Sequence, residues 1–168
     1  GATNQQASSS LSGNQAIAGQ SGNSQYEVTV ECLETFDPGS NFADPTHRYI
    51  IPLTGAYNVN FSATFDVKVA VSGPSSVARY RIGIKVIDAS SGATLRYFVG
   101  PSSYTSNQQV TQAGAFSIPN LNVNDTLEMV LQFENFSSQP VAATTIFDLD
   151  STFFNVISTP VSYENAPI

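Results

Sequence analysis

The sequence predicts an all-β protein, a β-sandwich of jelly-roll type. Three observations carry that prediction. Residues 55–71, GAYNVNFSATFDVKVAV, alternate apolar and polar side chains almost without a slip, and a period of two puts one set on each face of a strand. The same alternation recurs along the chain between turn signals, and no stretch shows the period of an amphipathic helix. At 168 residues and 41% hydrophobic, the chain suits one domain with a sizeable core. Long strands with proline-marked edges fit a jelly roll best.

The elements follow in order. Residues 1–24 carry no charge and little that is apolar beyond Leu11 and Ile17. They read as an extended N-terminal arm or linker, lying on another subunit or a partner. The head domain spans 25–160, and 161–168 form an irregular C-terminal tail. Residues 26–33 alternate and give a first strand, with turns at Asp37-Pro38-Gly39-Ser40 and Asp44-Pro45. Tyr49, Ile50 and Ile51 make a short strand stopped by Pro52, and Thr54-Gly55 turns the chain into the long strand. A turn at residues 73–76 leads to a strand over 79–87, with Arg79, Arg81 and Lys85 on its outward face. These are half of the six basic residues. They read as a solvated face paired with acids on a neighbouring strand, or as a contact for another subunit or an anionic ligand.

A strand over 94–99 precedes the polar loop 100–109, whose Tyr104, Asn107 and Gln108 are the candidates for a surface binding loop. Strands over 110–118 and 126–133 follow, the second with Leu127, Met129, Leu131 and Phe133 on one face. A last strand over 144–157 sets Phe147, Leu149, Phe153 and Ile157 against Asp148, Asp150 and Thr152. That makes about eight strands.

Composition narrows the function. Net charge is −7 and 11% of residues are charged, so the polar surface is Ser, Thr, Asn and Gln, as on many secreted and virion proteins. No basic stripe exists to neutralise phosphates, which argues against nucleic acid as a partner. No apolar run approaches the roughly 18 residues of a membrane span, so membrane insertion is not expected. Cys32 is the only cysteine and is read as a buried small hydrophobe.

Candidate chemistry is sparse. His47 is the only histidine; Asp44 is near it in sequence, but no nucleophile motif accompanies them. One His and one Cys do not make a zinc site. Asp148 and Asp150, about 7 Å apart along a strand, are weak metal candidates, for calcium, and a weaker glycosidase pair. No catalytic residue and no cofactor is assigned. Sequons occur at Asn60, Asn124 and Asn135.

Tyr49-Ile50-Ile51-Pro52-Leu53-Thr54-Gly55-Ala56-Tyr57 resembles the signature of the complement-q globular head and tumour necrosis factor (TNF)-like superfamily. There, a short strand ends in Pro and Gly-x-Tyr opens the central strand. Leu121-Asn122-Val123-Asn124-Asp125-Thr126-Leu127 resembles its Leu-x-x-Gly-Asp turn, with Asn124 in place of the glycine, and Ser151-Thr152-Phe153 its final-strand motif. Phe154 and Asn155 depart from the family, which has a small residue and Gly there. The resemblance covers residues 26–158. It implies a ten-strand jelly roll that assembles as a homotrimer around aromatic residues. By that carry-over Tyr57 and Phe153 lie near the trimer axis, and Phe133 joins them by its strand position. Members are non-enzymatic binding heads, and similar heads cap viral and phage spikes and fibres. The charge-free first residues stand where a collagen repeat would be, which favours a virion-type or microbial protein over an animal complement-like one.

The expected function is therefore a trimeric fibre, spike or decoration head. It would be non-enzymatic and would sit at a virion surface or outside the cell. It would bind itself, other virion proteins through the arm, and a host surface protein or glycan. The alternatives are a jelly-roll capsid shell subunit and a secreted carbohydrate-binding module.

Overall fold

The computed structural model describes residues 5–70, 77–100 and 102–159. The expected turn at 73–76 and the tail at 161–168 lie outside these residues. Every regular element among them is a strand. The first half of the chain supplies β1 (Gln6–Ser10), β2 (Gln15–Ile17), β3 (Ser24–Thr29), β4 (Leu33–Phe36), β5 (Phe42–Ala43), β6 (Arg48–Ile50) and β7 (Gly55–Val67). The second half supplies β8 (Ala78–Ile87), β9 (Thr94–Phe98), β10 (Ser102–Tyr104), β11 (Gln108–Leu121), β12 (Thr126–Asn135), β13 (Thr144–Ile146) and β14 (Phe153–Ser158).

They form two seven-stranded sheets, paired antiparallel throughout. In the first sheet β7 is central. β11 runs along one edge of it, and β14, β1 and β4 follow on the other. β13 and β2 extend that second edge beyond the start of β14. In the second sheet β12 is central. β8 takes one edge, carrying β9 and β10, while β3 and β6 share the other.

The alternation in β7 explains the core. Tyr57, Val59, Phe61, Ala63, Phe65 and Val67 are each at most 1% exposed. Opposite them β8 and β12 bury Tyr80, Ile82, Ile84, Leu127, Met129 and Leu131. Full burial of each large side chain is worth about 1.5–3 kcal/mol. Tyr80 sits at the centre of an aromatic stack, 4.4 Å from Phe133 and 5.7 Å from Phe65 between ring centroids.

Three expectations are corrected. The segment 1–24 is not an arm reaching a partner over its described part. β1 pairs with β14 and β4, and β2 with β13, all within the chain. Ala7, Ser9 and Leu11 turn inward and are buried. The single last strand over 144–157 is two strands separated by a turn, closed by the Thr152 N–H donating to the Leu149 carbonyl at 2.8 Å. The even-numbered residues point inward on both sides of that turn, Thr144 and Ile146 before it and Phe154 and Val156 after it, while Phe153 and Ile157 face outward. Five residues of the expected loop 100–109 belong to strands, β10 and the start of β11.

Candidate functional site

The inward side chains of β7 make the core, so its outward ones make the open face of the first sheet. Register fixes their neighbours in three rows of four. Ser117, Asn58, Ile157 and Gln6 form the first row. Ala115, Asn60, Asn155 and Ser8 form the second, and Ala113, Ser62, Phe153 and Ser10 the third. None of these side chains is ionisable. The face sinks into a hollow of about 340 Å³ over its first two rows. Ile157 is 37% exposed, and Phe36, 51% exposed, stands opposite Ser8 at the margin. At the other end Thr64 is sealed by Thr111, Ser151 and Thr152 through their hydroxyls.

The opposite face of the sandwich is the electrical reverse. Five of the six basic residues lie on the second sheet, Arg79, Arg81 and Lys85 on β8, Arg96 on β9 and Arg48 on β6. Glu128 is buried between Arg48 at 3.1 Å and Lys85 at 3.4 Å. Glu27 takes Arg96 through both oxygens, at 2.6 and 3.1 Å, and Lys85 at 3.5 Å. Although its partial burial alone would raise the carboxyl, these cations hold Glu27 below the usual carboxylate range. Arg79 pairs with Glu134. The expectation that this strand face is paired with neighbouring acids holds for Arg79 and Lys85.

The candidate residues fall out unevenly. Tyr57 does not face outward. It is 1% exposed, its ring packs edge-on to Tyr49 at 6.2 Å, and its hydroxyl donates to the Leu53 carbonyl at 2.7 Å. Phe133 is likewise inside the sandwich against Tyr80. A strand side chain that fills the core of its own chain is not available to an axis between chains. Phe153 is on the open face.

The binding-loop group comes apart for a similar reason. The Tyr104 ring packs edge-on to Tyr80 at 6.1 Å, and its hydroxyl accepts from Gln112 at 3.1 Å. The Asn107 side-chain oxygen Oδ1 accepts the Val69 N–H at 2.9 Å. Gln108 is exposed at the start of β11. Asp148 and Asp150 lie in the turn between β13 and β14, not on a strand face, so the spacing argument for a metal or a glycosidase pair no longer applies. No cluster of three His, Cys, Asp or Glu residues is placed to hold a metal ion among the described residues.

His47 and Asp44 do not act as a pair. The His47 ring lies 3.0 Å from the Cys32 carbonyl, while the Asp44 carboxylate accepts the Glu34 N–H at 2.8 Å. Cys32 is fully buried, and burial pushes its thiol up to about 12. The Asn135 sequon is closed, because its amide donates to Ser21 and Gln139 carbonyls inside the fold. No helix among the described residues is long and apolar enough to cross a membrane.

Sequence reasoning missed the open face as a unit. Its signal was the run Asn58, Asn60, Ser62, Thr64, a strand whose wet side lacks charge.

No protein-family model and no curated protein sequence matches the chain. Solved structures do. A structure of Eiger TNF from S. frugiperda superposes with a TM-score of 0.58 at 9% identity, covering 99% of each chain. Murine APRIL superposes with a TM-score of 0.54 at 10% identity, covering 94% of this chain and 100% of that one. With two antiparallel sheets and this match over nearly the whole chain, the protein has the TNF-like jelly-roll fold.

Proposed function

We propose that the chain is a non-enzymatic binding head that works as a homotrimer at a virion surface, closing three copies over the open face of the first sheet. The observation that carries this reading is the division of charge between the two faces. A surface meant only for water gains solubility from Lys, Glu and Asp. The second sheet is built that way, but the three rows on the first sheet hold Asn, Ser, Gln, Ala, Phe153 and Ile157. Such side chains can be desolvated against another copy without stranding a charge. The hollow and the exposed Phe36 and Ile157 add relief and apolar area to dock on. The axis is therefore assigned to Asn60, Asn155 and Phe153 in place of Tyr57 and Phe133. The virion setting rests on composition, a surface of Ser, Thr, Asn and Gln with 11% charged residues.

Light scattering after size exclusion tests the assembly. The expected mass is three times 17.9 kDa. Asn60→Arg, or Asn155→Arg on the adjoining strand, puts three cations at the centre of the closed face and should release single chains with an unchanged circular-dichroism spectrum. A wild-type mass of one chain, or a trimer indifferent to both arginines, would remove the open face as the interface. Antibody labelling of purified particles from the source tests the virion setting.

A further inference from the structure

The outer face of the second sheet contains one cation treated unlike the rest. Gly83 stands in the middle of β8, opposite Phe98 of β9. A Cβ on Gly83 would come within 2.6 Å of the Phe98 ring and 2.5 Å of the Tyr97 carbonyl. Without it, the ring can lie down on the strand. The Arg81 guanidinium rests over that ring, 4.2 Å from its centroid. Its Nε donates to the Gln132 side-chain carbonyl at 2.7 Å. Two contacts thus hold the plane of the guanidinium, and neither supplies a negative charge.

Every other cation on this face has a carboxylate partner: Arg79 has Glu134, Arg96 has Glu27, Arg48 has Glu128, and Lys85 has both Glu27 and Glu128. Arg81 has none among the described residues, and its two terminal nitrogens have no protein acceptor there. Burial first, and the neighbouring Arg79 charge second, lower its pKa, while Glu134 offsets part of this. Arg81 lines a hollow of about 460 Å³ together with Gln132, Tyr26, Gln25 and Glu27. The Arg96–Glu27 pair joins β9 to β3 across the two strands between them, and both residues line the hollow.

We propose that this hollow is a binding subsite for a single carboxylate carried on a hydroxyl-bearing ring, the chemistry of an acidic monosaccharide residue. A planar guanidinium with its terminal nitrogens open is matched to a carboxylate, which it meets through two parallel hydrogen bonds. Stacking on Phe98 and the Gln132 bond fix its orientation before a ligand arrives, so little entropy is lost on binding. The remaining lining selects the rest of the ligand. Two amides and a phenol offer both donors and acceptors, which suits hydroxyls. Glu27 in the wall is neutralised by Arg96 and Lys85, so it does not drive away a monoanion held by Arg81. A hollow of about 460 Å³ has room for one compact ring. The site lies within one chain, so it stands or falls apart from trimer formation.

The test is a titration of the full ¹⁵N-labelled chain followed by NMR. Glucuronate at millimolar concentration should shift the Arg81 Nε–H and the Gln132 side-chain amide, whereas glucose should not. Arg81→Lys keeps the charge and loses the fork, and should weaken glucuronate binding at least about tenfold with an unchanged melting temperature. The proposal is overturned by an equal response to glucose, by undiminished binding in Arg81→Lys, or by no shift at all. Competition by inorganic phosphate would make the site a general anion site, and equal binding of N-acetyl-aspartate would make it a reader of acidic side chains. Either result overturns the sugar assignment.

Discussion

The two carboxylate oxygens of Asp125 each hold a different turn. One accepts the Asn122 N–H at 2.8 Å within its own turn, and the other accepts the Ala89 N–H at 2.9 Å from the turn between β8 and β9. Its carbonyl also accepts the Ile51 N–H at 2.8 Å, just past β6. Asn124 before it adopts a φ of 75°, the left-handed backbone that Asn tolerates in place of Gly. One 4%-exposed carboxylate therefore couples the turns at that end of the sandwich. Asp125→Ala strips both N–H groups of their acceptor and should lower the free energy of unfolding in urea by about 2 kcal/mol; Asp125→Asn keeps one acceptor and should lose less. Asp88 shows the same device in the open. Ser90 and Ser91 hydrogen bonds to its carboxylate lower its pKa from 3.8 to about 2. Since the folded value is the depressed one, this contribution is complete above pH 3.8 and is lost as pH falls toward 2. Melting temperatures across that window should fall more steeply for the wild type than for Asp88→Asn, and parallel slopes would show that the turn does not feel the charge.

At the scale of elements, β8 has a gap in its outer edge. β9 pairs with residues 83–87 and β10 with 78–80, which leaves Arg81 and Ile82 between them. The Gln112 side chain reaches from the first sheet into that gap. Its carbonyl accepts the Ile82 N–H at 3.0 Å, and its amide donates to the Tyr80 carbonyl at 2.8 Å. One side chain thus continues the ladder and ties the two sheets together. Gln112→Leu fills similar space but leaves a buried donor and a buried acceptor unpaired, which should cost about 2–4 kcal/mol in urea unfolding. A loss below 1 kcal/mol, on the order of one ordinary hydrogen bond, would mean that water enters the gap. Alternation made β7, β8 and β12 legible because their inward residues are large and their outward ones polar. It failed for β1, whose inward Ala7 and Ser9 are too small to mark a core face. It failed again at Phe153 and Phe154, where two adjacent aromatics fit either phase until the turn before them is known. Tyr57 was asked to start the buried face and also to reach a trimer axis, and a strand side chain points only one way.

Across the whole molecule, the uses proposed for the two faces differ in their dependence on charge, and salt should separate them. Uncharged contacts do not depend on ionic screening, whereas a carboxylate held by Arg81 does. Raising ionic strength from about 0.1 M to 1 M shortens the screening length from about 10 Å to about 3 Å. If copies close over the Asn60–Asn155 rows, the trimer mass should be unchanged over that range. Its melting temperature should rise with protein concentration at both salt levels, since association stabilises only the folded chain. The Arg48–Glu128–Lys85–Glu27–Arg96 network lies on the opposite face, so the proposed closure does not involve it. Dissociation by salt would place the interface on that charged face and leave the uncharged rows to water. A melting temperature independent of concentration would leave the fold with a single chain as its stable unit.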